Sequence, residues 1–192
     1  MSAFIKNINT EVLSDGWSRL TKVSFDFKTS TGRWIRPSHE VFDRGDGAAV
    51  LLYNPEQQTV LLTRQFRLPA YLNGSGSGIL IEVCAGMLDD NDPETTIHKE
   101  VLEETGYTIT HLKKVFQTYI SPGASTEILH LYTAQYKASG KVAPGGGLAT
   151  EGEDIEVVEY AFAKAYALIN NGEITDAKTI MLLQYAKINA LV

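Results

Sequence analysis

The stretch IEVCAGMLDDNDPETTIHKEVLEETGY, residues 81–107, decides the fold of this chain. Its first residues have the apolar character of a buried β-strand, and we expect a turn at Ala85-Gly86. An acidic loop at residues 89–92 leads to a proline, a residue suited to the first position of a helix. The spacing predicts a helix over residues 93–105 that ends at Gly106.

Three glutamates of this predicted helix, Glu100, Glu103 and Glu104, stand at positions i, i+3 and i+4. We therefore expect their carboxylates on one exposed face, where like charges destabilise a helix. A hard divalent cation that takes oxygen ligands would relieve the repulsion. The alternative is a solvated acidic face on which Lys99 pairs with Glu103. The spacing alone leaves both open.

The segment resembles the Nudix box, the signature of Mg²⁺-dependent hydrolases that cleave nucleoside diphosphates linked to another group. The box is written G-x5-E-x7-R-E-U-x-E-E-x-G-U, and the corresponding residues are Gly86, Lys99, Glu100, Glu103, Glu104, Gly106 and Tyr107. The chain departs from the pattern at Asp92, which replaces its first Glu, and at Lys99, which replaces Arg. Six rather than seven residues separate these two. The resemblance implies an α/β/α sandwich around a mixed sheet.

The Nudix resemblance also implies roles for individual residues near the box. Glu100 and Glu104 would be catalytic and would bind Mg²⁺, with Mn²⁺ as a possible substitute, together with the backbone carbonyl of Ala85. Glu104 would also border the substrate, as would Ala85, Gly86 and Met87. Without the resemblance, Ala85 reads as an ordinary turn residue.

A glycine-rich segment, GGGLATEGEDIEV at residues 145–157, resembles the Nudix loop that carries a late glutamate. The resemblance assigns Glu153 as a further metal ligand, substrate contact and catalytic base, with Gly152 beside it against the substrate. Glu151 is the competing assignment because the length of this loop varies. By composition alone the segment would be a linker. Because glycine is conformationally free, we expect the loop to be mobile until metal and pyrophosphate bind.

The string RQFR at residues 64–67 resembles the branch of Nudix enzymes that act on ADP-ribose and nucleotide sugars. In that branch the second arginine, here Arg67, contacts the substrate, and a guanidinium suits phosphate geometry. Taken alone, both arginines would be read as surface residues. Pro122 matches the downstream proline that marks this branch. The same resemblance implies substrate contacts by Glu127 and by Lys178 of GEITDAKT.

Residues 1–43 are predicted to form a small antiparallel β-piece, and residues 44–192 a hydrolase domain. Apolar residues alternate over positions 23–27, and a turn at Thr31-Gly32 leads into a second strand over residues 34–42. An isolated two-stranded ribbon is marginal in water, so it must pack on its own core or on a partner subunit.

Over residues 4–188 the chain is similar to the bacterial Nudix enzymes that hydrolyse GDP-mannose. This resemblance implies a homodimer and substrate contacts from Trp17, Ser38, His39 and Glu40. Trp17 would stack on a nucleobase, although an unplaced tryptophan is more often a core residue. Those enzymes have two basic residues before the glutamate, whereas only His39 stands there in this chain, so GDP-mannose is not implied as the sole substrate.

The remaining pattern predicts strands and helices in the order of a mixed α/β layered domain. Strands are expected at residues 48–53, 59–66, 108–118, 128–136 and 155–160, and helices at residues 162–170 and 177–188.

Composition narrows the class of protein. A chain of 192 residues with 44% hydrophobic content suits one domain, or one domain with a small appendage. A net charge of −6 without a basic stripe argues against binding to nucleic acid or anionic membranes. No apolar run approaches the roughly 18 residues of a membrane span, and no signal peptide is recognisable, so a cytoplasmic protein is expected. Cys84, the one cysteine, is expected in the core rather than as a nucleophile.

The sequence therefore predicts Mg²⁺-dependent hydrolysis of the pyrophosphate bond of a nucleoside diphosphate sugar. GDP-mannose, giving GMP and mannose 1-phosphate, is the first expectation, and ADP-ribose, giving AMP and ribose 5-phosphate, is the alternative. A third reading is a non-catalytic sensor of a nucleotide metabolite. The retained set of four glutamates argues against it, because a pure binder needs no costly cluster of carboxylates.

Overall fold

The computed structural model describes residues 4–192, which divide into two compact units. The N-terminal unit comprises the chain up to Asp46 together with the segment Tyr119–Ile128. The main unit comprises residues 47–118 and 129–192. The N-terminal unit is thus built from two separate parts of the sequence.

An antiparallel sheet of four strands forms most of the N-terminal unit. The strands are β1 (Ile5–Asp15), β2 (Arg19–Lys28), β3 (Trp34–Ile35) and β4 (Ser38–Asp43). β2 is central, because it pairs with β1 along one edge and with β4 and β3 along the other. β1 is exposed over its whole length.

The two-stranded ribbon predicted for this region is wrong in extent, although the turn at Thr31-Gly32 is present. The second predicted strand is interrupted at Pro37, which has no N–H to donate to a ladder, and so becomes β3 and β4. β1 was not predicted, and its apolar residues Ile5, Ile8 and Val12 stand at i, i+3 and i+7, which is the period of a helix rather than of a strand.

The segment Tyr119–Ile128 is bonded to the end of β4. The N–H of Phe42 donates to the carbonyl of Ala124 (2.8 Å), and the N–H of Thr126 donates to the carbonyl of Phe42 (3.0 Å). The guanidinium of Arg44 lies 2.7 Å from the carboxylate of Glu127. These contacts explain why a segment distant in sequence belongs to this unit.

A seven-stranded mixed sheet with helices forms the main unit. Its strands are β5 (Gly47–Asn54), β6 (Thr59–Phe66), β7 (Ile79–Glu82), β8 (Cys84–Met87), β9 (Thr110–Tyr119), β10 (Ile128–Gln135) and β11 (Glu156–Ala161). The helices are α1 (Leu68–Leu72), α2 (Pro93–Glu100), α3 (Phe162–Asn170) and α4 (Ala177–Ile188). The predicted strands and helices of this region are confirmed to within a few residues.

The strand order is β11-β6-β5-β10-β9, with β5 parallel to β10 and antiparallel to β6. β5 pairs with β6 only over residues 52–54, and its first half pairs with β8 instead. β6 in turn pairs with β7 over its last four residues, 63–66. The short strands β7 and β8 therefore fill the opening where β5 and β6 diverge.

Alternate residues of β5 enter two separate hydrophobic cores. Ala49, Leu51 and Tyr53 pack with residues of α3 and α4, whereas Ala48, Val50 and Leu52 pack with residues of α2. The sheet is thus covered by helices on both faces, which confirms the α/β/α arrangement.

The predicted turn at Ala85-Gly86 is wrong. Both residues lie within β8, opposite Ala49 and Ala48 of β5. Small residues before an acidic loop read locally as a turn, but pairing with a buried strand overrides that preference. Cys84 is buried at the start of the same strand, which confirms its expected place in the core. The short helix α1 was not predicted.

No helix within residues 4–192 is both long enough and apolar enough to cross a membrane.

Candidate active site

The helix predicted over residues 93–105 is present, but its last turn is wound differently. α2 continues into a π-helical turn, Val101–Thr105, and the chain leaves it through Gly106 at a φ of 75°. Asp92 caps the start of α2, where its Oδ1 accepts two backbone N–H groups at 3.0 and 3.1 Å. Asp92 therefore has a structural role at the beginning of the helix.

The three helix glutamates have different surroundings. Glu103 forms an ion pair with Lys99 at 3.5 Å, as expected from the alternative of a solvated acidic face. Glu100 is partly buried, and Glu104 is only 1% exposed. The expectation of a single exposed face is therefore wrong for Glu104. A π-helical turn holds more residues than an α-helical one, so the i, i+4 rule does not describe where this side chain points.

β8 lies directly against the side chain of Glu100. A Cβ atom added at Gly86 would lie 2.2 Å from Cδ of Glu100, so only glycine allows this approach. Ala85 precedes it in the strand and Met87 follows. The three residues predicted here thus form a continuous strand beside the helix.

The glycine-rich loop is bonded to the end of the same helix. The N–H of Gly146 donates to the carbonyl of Glu104 (2.7 Å), and that of Gly147 donates to the carbonyl of Glu103 (3.1 Å). Oε2 of Glu153 accepts the N–H of Leu148 at 2.9 Å. The loop is therefore hydrogen-bonded to the end of the helix, and its mobility before ligand binding stays a prediction.

The competing loop glutamate is placed differently. Glu151 is exposed and ends a short 3₁₀ turn, Ala149–Glu151, with Gly152 after it in the left-handed region at a φ of 74°. Glu153 is partly buried. A Cβ atom at Gly147, whose φ is +79°, would lie 2.5 Å from Oε2 of Glu153. The loop is thus shaped around Glu153.

Negative charge accumulates where the helix, β8 and the loop meet. Burial raises the pKa of Glu100 to about 7; Lys99 opposes the shift, and the charges of Glu103 and Glu153 add to it. Burial likewise raises the pKa of Glu104 to about 8, and the charges of Glu100 and Glu153 contribute. Glu153 is therefore near enough for its charge to act on both Glu100 and Glu104.

A second charged cluster of the main unit surrounds Glu82, the last residue of β7, which is 2% exposed. Its carboxylate accepts Nε of Arg67 at 2.7 Å and Nη2 at 3.1 Å. Nζ of Lys178 donates to the same carboxylate and to Oδ1 of Asp176 at 2.8 Å. Burial would raise the pKa of Glu82, but Arg67 and Lys178 more than offset it, and the pKa is lowered.

The other predicted contacts lie in the N-terminal unit. Trp17, in the turn between β1 and β2, is 79% exposed. Ser38, His39 and Glu40 are exposed on β4, and the ring of His39 stacks on Phe25 with centroids 5.7 Å apart. The Glu127 side chain is only 12% exposed because it pairs with Arg44. Trp17 is not the core residue that composition alone would favour.

Comparison with known families accounts for both parts of the chain. A family model described as the NUDIX domain matches residues 43–183. The chain belongs to the Nudix family. A further model, described as the GDP-mannose pyrophosphatase NudK N-terminal domain, matches residues 4–42. The Nudix resemblance seen in the box is thereby confirmed, and α2 with its π-helical turn is the Nudix helix.

Curated relatives match this Nudix protein over nearly its full length. A protein named GDP-mannose pyrophosphatase from Pectobacterium atrosepticum is 51% identical over 186 residues, which cover 97% of this chain and 95% of the relative. Proteins of the same name from Yersinia enterocolitica and Yersinia pestis are 49% and 48% identical. They cover 100% and 98% of this chain, and 99% and 94% of the relatives.

Nudix hydrolases use divalent cations, and the residues of this site fit one. Oε2 of Glu104 is buried without a hydrogen-bond partner, which is costly for a carboxylate unless a further group binds it. Glu100, Glu104 and Glu153 would supply the oxygen ligands that a hard cation prefers. Within residues 4–192, however, no group of three acidic, histidine or cysteine side chains lies close enough together to hold a metal ion as the side chains stand.

Glu82 and Asp176 are functional candidates that sequence reasoning missed. Glu82 could have been found from the sequence, because it is a charged residue between Ile81 and Val83 in an apolar strand. Buried charges of this kind are rarely left unpaired. Asp176 is the cap of α4, where its carboxylate accepts the N–H of Thr179 at 2.9 Å. The signal at Glu82 does not identify its partners, because Arg67 and Lys178 lie 15 and 96 residues away. The partners of Asp176, in contrast, are near neighbours in sequence.

Proposed function

We propose that this protein hydrolyses the pyrophosphate bond of a nucleoside diphosphate sugar, with GDP-mannose as substrate. Water adds across the P–O–P bond, so the products are GMP and mannose 1-phosphate. The observation that carries the proposal is the identity of 48–51% with proteins named GDP-mannose pyrophosphatase, which extends over both units of the chain.

We propose Mg²⁺ as the metal, with Mn²⁺ as a substitute. When bound, the cation neutralises charge on the phosphoryl oxygens and makes water more acidic. Glu100, Glu104 and Glu153 would hold it together with the backbone carbonyl of Ala85. Two of these carboxylates have raised pKa values, so cation binding displaces their protons and relieves their repulsion.

Glu153 is the proposed base that takes a proton from the attacking water. Three features support Glu153 over Glu151: partial burial, a carboxylate held by the N–H of Leu148, and a charge that reaches both Glu100 and Glu104. Glu151 is exposed to solvent. A general base contributes about 10²- to 10⁴-fold to a rate.

We propose substrate contacts in each of the two units, taken separately. The cations Arg67 and Lys178 supply N–H donors for the diphosphate or the sugar. Further proposed contacts are Gly86, Met87, Glu104, Gly152 and Glu153 in the main unit, and Trp17, Ser38, His39, Glu40 and Glu127 in the N-terminal unit. The exposed ring of Trp17 is suited to stacking on a base.

We also propose a homodimer formed through the N-terminal unit. This unit exposes many large apolar side chains, which are Phe4, Ile5, Ile8, Val12, Leu13, Trp17, Phe27, Trp34 and Ile35. Burial of such side chains against a second copy of the chain would remove them from water.

A substrate panel tests the proposed function. GDP-mannose, ADP-ribose and other nucleotide sugars are incubated with Mg²⁺, with Mn²⁺ or with EDTA, and the products are separated by ion-exchange chromatography. We expect the highest kcat/KM for GDP-mannose and no turnover in EDTA. Faster ADP-ribose cleavage would favour the alternative substrate. Calorimetric binding of a nucleotide sugar without any turnover would identify a sensor.

A further inference from the structure

Glu82 sits where two strands and a helix are tied together. The N–H of Val83, the next residue, donates to Oγ1 of Thr179 at 2.8 Å. Thr179 is fully buried, and its hydroxyl donates to Oδ2 of Asp176 at 2.5 Å. The start of α4 is thereby fastened to the junction of β7 and β8, which brings Lys178 onto the carboxylate of Glu82.

The same cluster is electrically balanced. Arg67 and Lys178 carry two positive charges, and Glu82 and Asp176 carry two negative ones. Charge pairing and hydrogen bonds within the group offset the desolvation penalty of burial, whereas removal of one member leaves an unpaired charge. The arrangement therefore depends on every member.

The cluster leaves donors unused. A guanidinium has five N–H groups, of which Arg67 gives two to Glu82, and an ammonium has three, of which Lys178 gives two to Glu82 and Asp176. The Arg67 side chain is 40% exposed, so its remaining edge faces solvent. The charge of Arg67 also acts on Glu104, so the cluster adjoins the carboxylates of the Nudix helix.

We propose that Glu82 is a positioning residue for the reaction, which holds Arg67 and Lys178 at fixed orientations so that their free N–H groups bind the same diphosphate sugar. It does not touch the substrate. The inference rests on the proposed function only in taking a nucleoside diphosphate derivative as the ligand. A carboxylate is required because it offers acceptors only, whereas a Gln amide would turn an NH₂ group toward one of the cations.

The test is a double-mutant cycle of Glu82→Gln and Arg67→Ala. kcat/KM is measured with GDP-mannose, and binding of an uncleavable methylene-bridged GDP-mannose analogue is measured by calorimetry. We expect Glu82→Gln to lower kcat/KM by about 10- to 100-fold, as for other residues that orient a functional group. We expect Arg67→Ala to cost far less in the Glu82→Gln background than in the wild type, and Glu82→Asp to recover part of the loss.

Glu156→Gln is the matched control, because Glu156 bonds the other arginine of the same string, Arg64, at 2.7 Å on the surface. It should leave kcat/KM unchanged. Thermal melting of each variant checks folding, and Glu82→Asp replaces Glu82→Gln in the cycle if the latter does not melt cooperatively. Additive losses for Glu82 and Arg67, in either version of the cycle, would overturn the inference.

Failure of the proposed function would look different. If the wild type did not cleave GDP-mannose, the cycle would be run with ADP-ribose and its methylene-bridged analogue. Coupling between Glu82 and Arg67 with that ligand would uphold the positioning role while the substrate assignment failed. If GDP-mannose were cleaved but the losses at Glu82 and Arg67 were additive, the substrate assignment would hold and the positioning role of Glu82 would fail.

Discussion

At the scale of single residues, Glu104 occupies a position that is unfavourable for the stability of the fold and suited to binding a cation. Its carboxylate is buried with one oxygen unpartnered, next to the charges of Glu100 and Glu153. Such a site is unfavourable for an anion in the absence of a cation. The unfavourable arrangement makes sense where a metal ion is to be bound.

We predict that Glu104→Gln raises the stability of the metal-free protein while it lowers turnover. Because the pKa of Glu104 is raised to about 8, the folded protein holds this proton more tightly than the unfolded chain does. The free energy of unfolding therefore falls as pH rises from about 4.5 to 8, and the Gln variant lacks that loss. In EDTA, thermal melting should show the variant more stable than wild type at pH 8, with little gain at pH 5.

The same variant should lose most turnover in saturating Mg²⁺, because one ligand charge is missing. A near-normal kcat would show that Glu104 is not a metal ligand. A variant that melts lower than wild type in EDTA at pH 8 would contradict the electrostatic account.

At the scale of elements, the Nudix helix is capped by Asp92, a residue that differs from the glutamate of the Nudix box. Asp92 stands at the box position of a glutamate, yet its carboxylate accepts two backbone N–H groups and the Thr95 hydroxyl. Because the carboxylate is occupied as a helix cap, we expect it to have no role in metal binding.

We predict that Asp92→Ala lowers the melting temperature by a few degrees while kcat and the Mg²⁺ dependence stay close to wild type, because the change removes a cap. Asp92→Asn, which keeps the accepting oxygen, is the control and should melt like the wild type. A large rise in the Mg²⁺ concentration needed for activity would instead place Asp92 at the metal.

The glycine-rich loop is the second element on which the mechanism depends. We predict that Glu153→Gln lowers kcat by about 10²-fold or more, the scale of general-base catalysis, with a smaller effect on KM. Glu151→Gln is the matched control, because it removes the same charge two residues away from an exposed position. Steady-state kinetics of both variants decide the matter. A large loss of kcat in Glu151→Gln together with normal turnover in Glu153→Gln would show that Glu151 is the catalytic base.

At the scale of the whole molecule, the N-terminal unit cannot be removed cleanly. Deletion of residues 1–43 would also take away Phe42, to which the segment Tyr119–Ile128 is bonded. Substitutions on β1 are therefore the sharper test of the proposed dimer.

We predict that the double change Ile8→Lys and Val12→Lys converts a dimer into a monomer, because these side chains are 65% and 46% exposed and charge there opposes burial in an interface. Multi-angle light scattering at micromolar concentration measures the mass. Glu11→Lys, on the same strand, is the control and should stay dimeric. A wild-type protein that is already monomeric would contradict the proposal.

Local patterns in the sequence were enough for much of this protein. The helix over residues 93–105, the main strands and the Nudix family all follow from short-range signals, because periodicity, capping and box spacing are properties of neighbouring residues. The motifs around Arg67 and Lys178 also indicate that these two residues contact the substrate. The same motifs do not indicate that both side chains bind Glu82 in the folded chain.

How those residues are used depends on which segments meet in the folded chain. Ala85-Gly86 became a strand because β5 and β6 diverge and leave an edge to pair with. Glu104 became buried because the helix changes its winding in the last turn. Arg67 and Lys178 share Glu82 across 15 and 96 residues of sequence. Burial and pairing depend on which distant segment lies opposite, and no local pattern contains that information.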